Sequence, residues 1–318
     1  MTEFHEPFWP GQIAPDFLMP GPPGTRVTFY ERHCGCPTVL VFAAKAGDAP
    51  RLADLHERAH VLLIVSAISD TVMPSGTTCL VDDGRITQAF LGRPAVEKPV
   101  VLVLRPTLAV EARLEAPGAA EIERVVETLL PGPEHLCTGV APVLMVPNAL
   151  PQGLCQRLIS AHDADHHDSG MLREIDGKVE LVPDPRTKKR RDHRLTDPEL
   201  VEAVTKALRD RLLPAIARAF HYSVTQMENY KVVAYDGATW GYFRPHRDNS
   251  TPDARHRRFA LSLNLNAGYA GGELVFPEFG ACRYRPPAGG AVVFSGTHLH
   301  AARDVTAGRR YVLLTFLW

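Results

Sequence analysis

YKVVAYDGATWGYFRPHRDN, residues 230–249, alternates aliphatic or aromatic residues with polar ones and ends on His246 and Asp248. A period of two is the signature of a strand with one buried face. RRFALSLNLN at 257–266 alternates in the same way, so the two segments read as paired strands flanking an H-x-D triplet. His246 and Asp248 are two apart, so on a strand both side chains point to one face.

With 14 histidines in 318 residues, and aspartate similarly frequent, about one H-x-D triplet is expected by chance. The chain holds two. The other, His166-His167-Asp168, lies in SAHDADHHDSG, whose polarity predicts a solvated helix end or loop without a strand. The triplet at 246–248 is therefore the one to pursue. Two imidazoles and a carboxylate on one face of Fe(II) leave the remaining positions open, which is how this metal is held when it must activate O2. A further His and Arg stand downstream at 300 and 310.

Composition sets the frame. A length of 318 residues suits two domains. Hydrophobic residues at 45% and charged ones at 22% exclude disorder, and a net charge of −1 supplies no basic field for nucleic acid. The start MTEFHEPFWPGQIAPDF has no apolar run behind a basic leader, and no segment reaches the roughly 18 apolar residues of a membrane span. A soluble cytoplasmic protein without nucleic-acid or membrane partners is expected; oligomeric state is not specified. Six cysteines without regular spacing suit reduced thiols. Cys34-Gly-Cys36 reads as two ordinary thiols ahead of a strand, with redox work as the minor alternative.

TVLVFAA at 38–44, VLLIVSA at 61–67 and VVLVLRP from 100 are continuous apolar runs, as in buried strands of an α/β sheet. RLADLHERA at 51–59 and AAEIERVVETLL at 119–130 have helical spacing, and LAVEARLEA alternates like an antiparallel partner strand. That order, with the opening GQIAPDF and Pro99 ahead of a strand, resembles the thioredoxin-like fold in its peroxiredoxin variety over roughly residues 8–130. Members acting on peroxide carry a cysteine just past the first core strand; here that stretch is VFAAKAGDAPRL. The resemblance therefore implies a retained scaffold or docking module over residues 1–130 that has lost its nucleophile.

PGPEHLCTGVAP, 131–142, has linker composition, and 143–318 forms the second domain. PQGLCQRLISAHDA and DPELVEAVTKALRDRLLPAIARAF read as helices, the second a single amphipathic helix over 197–220 capped by Asp197-Pro198. Strands follow, so the domain is α+β, a jelly roll backed by helices. Lys188-Lys189-Arg190-Arg191 reads as a solvated loop, with a substrate-facing patch as its rival.

Taken together, YKVVAYDGATWGYFRPHRDN, RRFALSLNLNAGYAGGELVFPEFG and PPAGGAVVFSGTHLHAARDVTAGRRYVLLTFLW resemble the Fe(II)- and 2-oxoglutarate-dependent dioxygenases of the prolyl 4-hydroxylase-like group. The resemblance implies a double-stranded β-helix with His246, Asp248 and His300 as both catalytic residues and metal ligands. His298 is two residues from His300 and would share its strand face; family register selects His300, which places Arg310 ten residues on. Arg310 would grip the far carboxylate of 2-oxoglutarate. It shares a strand face with Val312, Leu314 and Phe316, whereas Arg309 shares the other with Tyr311, Leu313 and Thr315. Tyr235 would contact the co-substrate or line the substrate opening, or else serve as a half-buried strand tyrosine. Where relatives place a second tyrosine, this chain offers Ser262 and Asn264. Gly271-Gly272 would serve a tight turn before ELVFP.

The expected function is hydroxylation of a peptide or small molecule, a prolyl residue being the family's leading suggestion, with succinate and CO2 as co-products. Ascorbate would keep the iron reduced. The rivals are a non-catalytic iron- or ligand-binding protein, and a thiol-redox protein acting through Cys34 and Cys36.

Overall fold

A computed structural model of the chain describes residues 8–21, 25–52, 55–67, 76–130, 139–175, 178–182 and 184–318. It divides into two compact units, Met1–His135 and Leu136–Trp318. Residues 131–138 of the expected linker lie outside the described set. Of the remaining linker residues, Ala141 is buried in the second unit, where its N–H donates to the Tyr284 hydroxyl at 2.8 Å.

The first unit is built on one five-stranded sheet, in spatial order 77–81, 60–67, 38–45, 100–104, 110–115. Its first three strands are mutually parallel and the last two run antiparallel. Both faces are covered, which is why the strands read as unbroken apolar runs. Leu40, Phe42, Leu62 and Ile64 pack with Phe90 of the helix Arg85–Leu91 on one side. Val39, Val41, Leu63 and Val65 meet Ile122 and Val126 of the helix Ala119–Glu127 on the other. Neither the strand Thr77–Val81 nor the helix Arg85–Leu91 stood out in the sequence. Only Leu80 of that strand is buried, so no apolar run marks it. The expected helix at 51–59 is a 3-10 turn, Leu55–Glu57, with 53–54 outside the described residues. Leu52, Leu55 and Ala59 still bury their side chains.

His33 is 3% exposed in this unit, and neither ring nitrogen has a hydrogen-bond partner. Burial, then the nearby His60 and Arg32, pulls its pKa from 6.5 down to about 4. Above pH 6.5 the ring is neutral folded or unfolded, with no effect on stability. Below it the unfolded chain takes up a proton that the folded unit refuses until about pH 4. Stability should therefore fall with acidification, by about 2 kcal/mol between pH 7 and pH 5 at roughly 1.4 kcal/mol per pH unit. Urea denaturation at the two pH values checks this: His33→Leu should flatten the difference, and an unchanged difference refutes it.

The second unit is mainly sheet. Seven strands run in the order 144–146, 291–295, 259–264, 309–317, 231–236, 191–194, 167–168; five more run 188–189, 242–246, 300–302, 274–275, 283–284. The two antiparallel sheets enclose a core of Val233, Ala260, Val292, Phe294 and Val312 from the larger and Leu274 and Ala302 from the smaller, with Phe276 just beyond its 274–275 strand. This is a jelly roll. Its large sheet is backed on the outer face by the helices Gln152–Ala164, Pro198–Arg211 and Leu213–Phe220. No described helix is long and apolar enough to cross a membrane.

The structure corrects several expectations here. The 231–236 and 259–264 strands do not pair with each other; both border the strand Arg309–Leu317. Alternation tells which face is buried but not which neighbour is recruited. The single helix over 197–220 is two, meeting at Leu212. Pro214 lacks an N–H and its ring clashes with the preceding turn. Asp197 does cap the first, accepting from the Glu199 and Leu200 amides. His167–Asp168 forms a two-residue edge strand paired with Arg191 and Asp192, a long-range pairing that local polarity does not signal.

Candidate metal centre and anion pocket

The strand Tyr242–His246 contains Pro245, which cannot donate to a ladder, and its register against the strand His300–Ala302 shifts between Phe243 and His246. Across that irregularity His246 stands opposite His300, with ring centroids 4.3 Å apart. Asp248 lies beyond the end of the strand, in a turn, and not on it as the spacing had predicted. Its N–H donates to the Gly296 carbonyl at 2.9 Å, and its own carbonyl accepts from Arg257 Nη1 at 3.0 Å. The turn, not strand alternation, aims the carboxylate back at the histidines.

The donor atoms of His246, Asp248 and His300 all lie within 4.8 Å of one another. Nδ1 of His246 is 2.9 Å from the Arg244 carbonyl, and Nδ1 of His300 is 2.9 Å from that of His298. A carbonyl only accepts, so each neutral ring carries its proton on Nδ1 and presents the Nε2 lone pair inward. Those lone pairs face Asp248 oxygens at 3.4 and 3.3 Å. Lone pairs and a carboxylate aimed at one point repel each other unless a cation sits among them. Two imidazole nitrogens and one oxygen are the donor set that suits ferrous iron with open positions.

Electrostatics match. Burial pushes the Asp248 carboxyl up, but the protonated forms of His246, which would hydrogen-bond it, and of His300, together with Arg257, outweigh burial and hold the group below the usual range; a bound cation would take over that role from the neutral rings. Burial lowers His300, against the opposing pull of Asp248, and so favours the neutral, ligating imidazole. Phe243 stacks on His246 at 3.5 Å between centroids, and Phe294 packs on His300 at 4.6 Å, walling water from the donors.

His298 does not share a strand with His300. It sits in the turn before it, packed on Phe279 at 5.0 Å, and only its carbonyl serves the centre. Arg310 points inward and is 2% exposed. Its Nε and Nη2 donate to Asn264 Oδ1 at 3.1 and 2.9 Å, and Nη2 reaches Ser262 Oγ at 3.4 Å. Tyr235 is its cross-strand partner, with its ring 5.6 Å from the guanidinium. Among the described residues no carboxylate pairs with Arg310, whereas Arg309 on the opposite face is bound to Asp236 at 2.7 Å. A buried guanidinium held only by an amide and a hydroxyl is a site prepared for an anion.

The expected Gly271-Gly272 turn and its neighbours shape the surroundings of Arg310. Gly271 and Gly272 have φ of +73° and +69°; a Cβ on Gly272 would meet Arg310 Cδ at 3.0 Å, so this glycine leaves room for the guanidinium. Asn264, which orients Arg310, is itself tied by Nδ2 to the Tyr269 hydroxyl at 2.7 Å. The 188–191 run is not a solvated loop. Lys188-Lys189 pair with Phe243 and Tyr242, and Arg190 turns inward to bind Asp192 at 2.8 Å and donate to the Tyr235 hydroxyl at 3.1 Å. Strand alternation sorts the run into two inward and two outward cations, which a count of charges cannot show.

Residues 230–318 match the family model of the 2OG-Fe(II) oxygenase superfamily. The PKHD-type hydroxylase PiuC of Pseudomonas aeruginosa and a PKHD-type hydroxylase of Pseudomonas paraeruginosa are each 34% identical over 87 residues, 24% of this chain. The chain matches 38% of the length of each relative. Among solved structures, a prolyl hydroxylase of Trichoplax adhaerens aligns at TM-score 0.44 and 17% identity over 56% of this chain and 84% of that one. A Pseudomonas putida prolyl-4-hydroxylase aligns at 0.42 and 21% over 56% and 92%. The C-terminal part of this chain, over residues 230–318, carries a domain of the 2OG-Fe(II) oxygenase superfamily, whose cofactors are Fe(II) and 2-oxoglutarate.

Proposed function

We propose that the chain is an Fe(II)- and 2-oxoglutarate-dependent dioxygenase that hydroxylates a substrate, converting 2-oxoglutarate and O2 to succinate and CO2 as one oxygen enters the product. The observation that carries this reading is the convergence of His246, Asp248 and His300 within 4.8 Å, with a buried Arg310 that has no carboxylate partner among the described residues. Fe(II), held by these three residues, would supply a redox-active centre through which O2 is reduced, two electrons coming from decarboxylation of 2-oxoglutarate and two from the substrate C–H bond. The chain does the rest: His246 and His300 offer Nε2 because backbone carbonyls hold Nδ1, and Asp248 supplies the negative charge. Arg310, set by Asn264 and Ser262, binds the far carboxylate, and the Tyr235 ring packs beside the same guanidinium. A prolyl residue of a peptide is the substrate class that the resemblance suggests, and ascorbate the reductant that keeps the iron ferrous.

Residues 1–130 are proposed to be a thioredoxin-like scaffold in the same cytoplasmic protein, joined through 131–142 to the oxygenase domain at 143–318. The parallel-then-antiparallel order of its sheet supports this, as does the lack of a cysteine just past the strand Thr38–Lys45. The test is direct. Full-length protein with Fe(II), O2 and 2-oxoglutarate should form succinate, and candidate peptides should gain one oxygen by mass spectrometry. Iron binding without any succinate would favour the binding-protein alternative instead.

A further inference from the structure

The ring of Phe243 joins the metal centre to a cluster of positive charge. One contact is the His246 imidazole at 3.5 Å; Lys188 Nζ and the Arg190 guanidinium lie 5.3 and 5.1 Å from its centroid. Lys188 stands directly across the strand pair from Phe243, so both side chains occupy one face. Arg190 is already committed to Asp192 and Tyr235. Asp192 in turn accepts from the Ser169 hydroxyl at 2.8 Å and from Arg190 Nη2 at 3.2 Å. Lys231 opens the 231–236 strand on the face of Val233 and Tyr235 and is solvent-exposed at the rim. Arg257, further round, is matched by Glu228 at 2.6 and 3.0 Å.

Lys188 and Lys231 are left over. Among the described residues no hydrogen bond or ion pair reaches either ammonium. Among the described residues, Lys188, Arg190 and Lys231 thus share the carboxylate of Asp192, Glu228 being taken up by Arg257. The strain appears in both amines. Lys188 is lowered to about 8 by burial and then Arg190, with Lys231 adding to the effect and Asp192 opposing it. Lys231 is lowered by burial, then by Arg190 and Arg257, against Asp192 and Glu228. A surplus of like charge around the half-buried Lys188 is costly unless an anion arrives.

We propose that Lys188 and Lys231 form a subsite for an oxyanion, a carboxylate or a phosphate, carried by the substrate. The inference rests on the oxygenase reading and extends it to the substrate's charge. Arg310 is set apart from this cluster, on the Asn264 side of Tyr235, and serves the co-substrate; the lysines flank Phe243, which lies against His246.

The test uses full-length protein under anaerobic conditions, with and without Fe(II) and 2-oxoglutarate, and inorganic phosphate as the probe. Saturable phosphate binding is expected in both conditions. It should weaken at least tenfold in Lys188→Met and in Lys231→Met, and persist in Arg310→Met. Lys231 is at the rim, so its variant keeps the test open if Lys188→Met fails to fold. Absence of binding in the wild type, indifference to both lysines, or loss in Arg310→Met alone would overturn the proposal. Displacement of phosphate by a capped glutamyl tripeptide or by its phosphoseryl counterpart would support it and tell carboxylate from phosphate; displacement by neither would overturn it. Lysine-dependent binding in a protein that forms no succinate would sink the oxygenase reading alone, and succinate without such binding would sink this one alone.

Discussion

Replacing His300 by alanine will abolish Fe(II)-dependent formation of succinate from 2-oxoglutarate, by at least about 100-fold, because outer partners of a metal ligand already cost 10–100-fold when removed. Iron content after gel filtration should fall in parallel. The imidazole is one of three donors, and Asp248 and His246 alone leave the metal open to water. His298→Ala is the control. It keeps the carbonyl that accepts from His300 Nδ1 and removes only a ring packed on Phe279. If His298→Ala loses iron while His300→Ala retains it, the assignment of the distal donor is wrong.

Arg310→Met will raise the KM for 2-oxoglutarate roughly a hundredfold, as expected for losing charge-assisted hydrogen bonds worth up to about 3 kcal/mol. Arg310→Lys should recover only part of this, since an ammonium cannot reproduce the two-pronged grip. The stability change should be smaller than the KM change. Asn264 loses two incoming hydrogen bonds, but a buried cation without a counter-ion is also removed. The rise in thermal midpoint given by 2-oxoglutarate should vanish in Arg310→Met, because a ligand stabilises only the state that binds it. An unchanged KM with an intact fold would show that another group holds the far carboxylate.

Much of this site was legible because it depends on short-range rules. Alternation along a strand and the cost of burying an unpaired arginine place Arg310 inward and Arg309 outward, as they are. Backbone detail was not legible. Asp248 reaches the centre from a turn held by Gly296, 48 residues downstream, and His298 leaves the strand that its spacing from His300 suggested. The 188–191 run reads as a solvated loop for the same reason: its inward cations acquire meaning only from Phe243, Tyr235 and Asp192, which the fold brings to them. In the first unit, continuous apolar strands announced themselves, whereas Thr77–Val81, with one buried residue, did not.

His246 and His300 belong to the small sheet, Arg310 and Asn264 to the large one with its backing of helices. A dicarboxylate held at one end by a metal on the first and at the other by the guanidinium on the second would act as a tie-rod between the two layers. The cavity would then stiffen as its co-substrate docks, so that the sandwich is firmest at the moment when oxygen must be kept from escaping partly reduced.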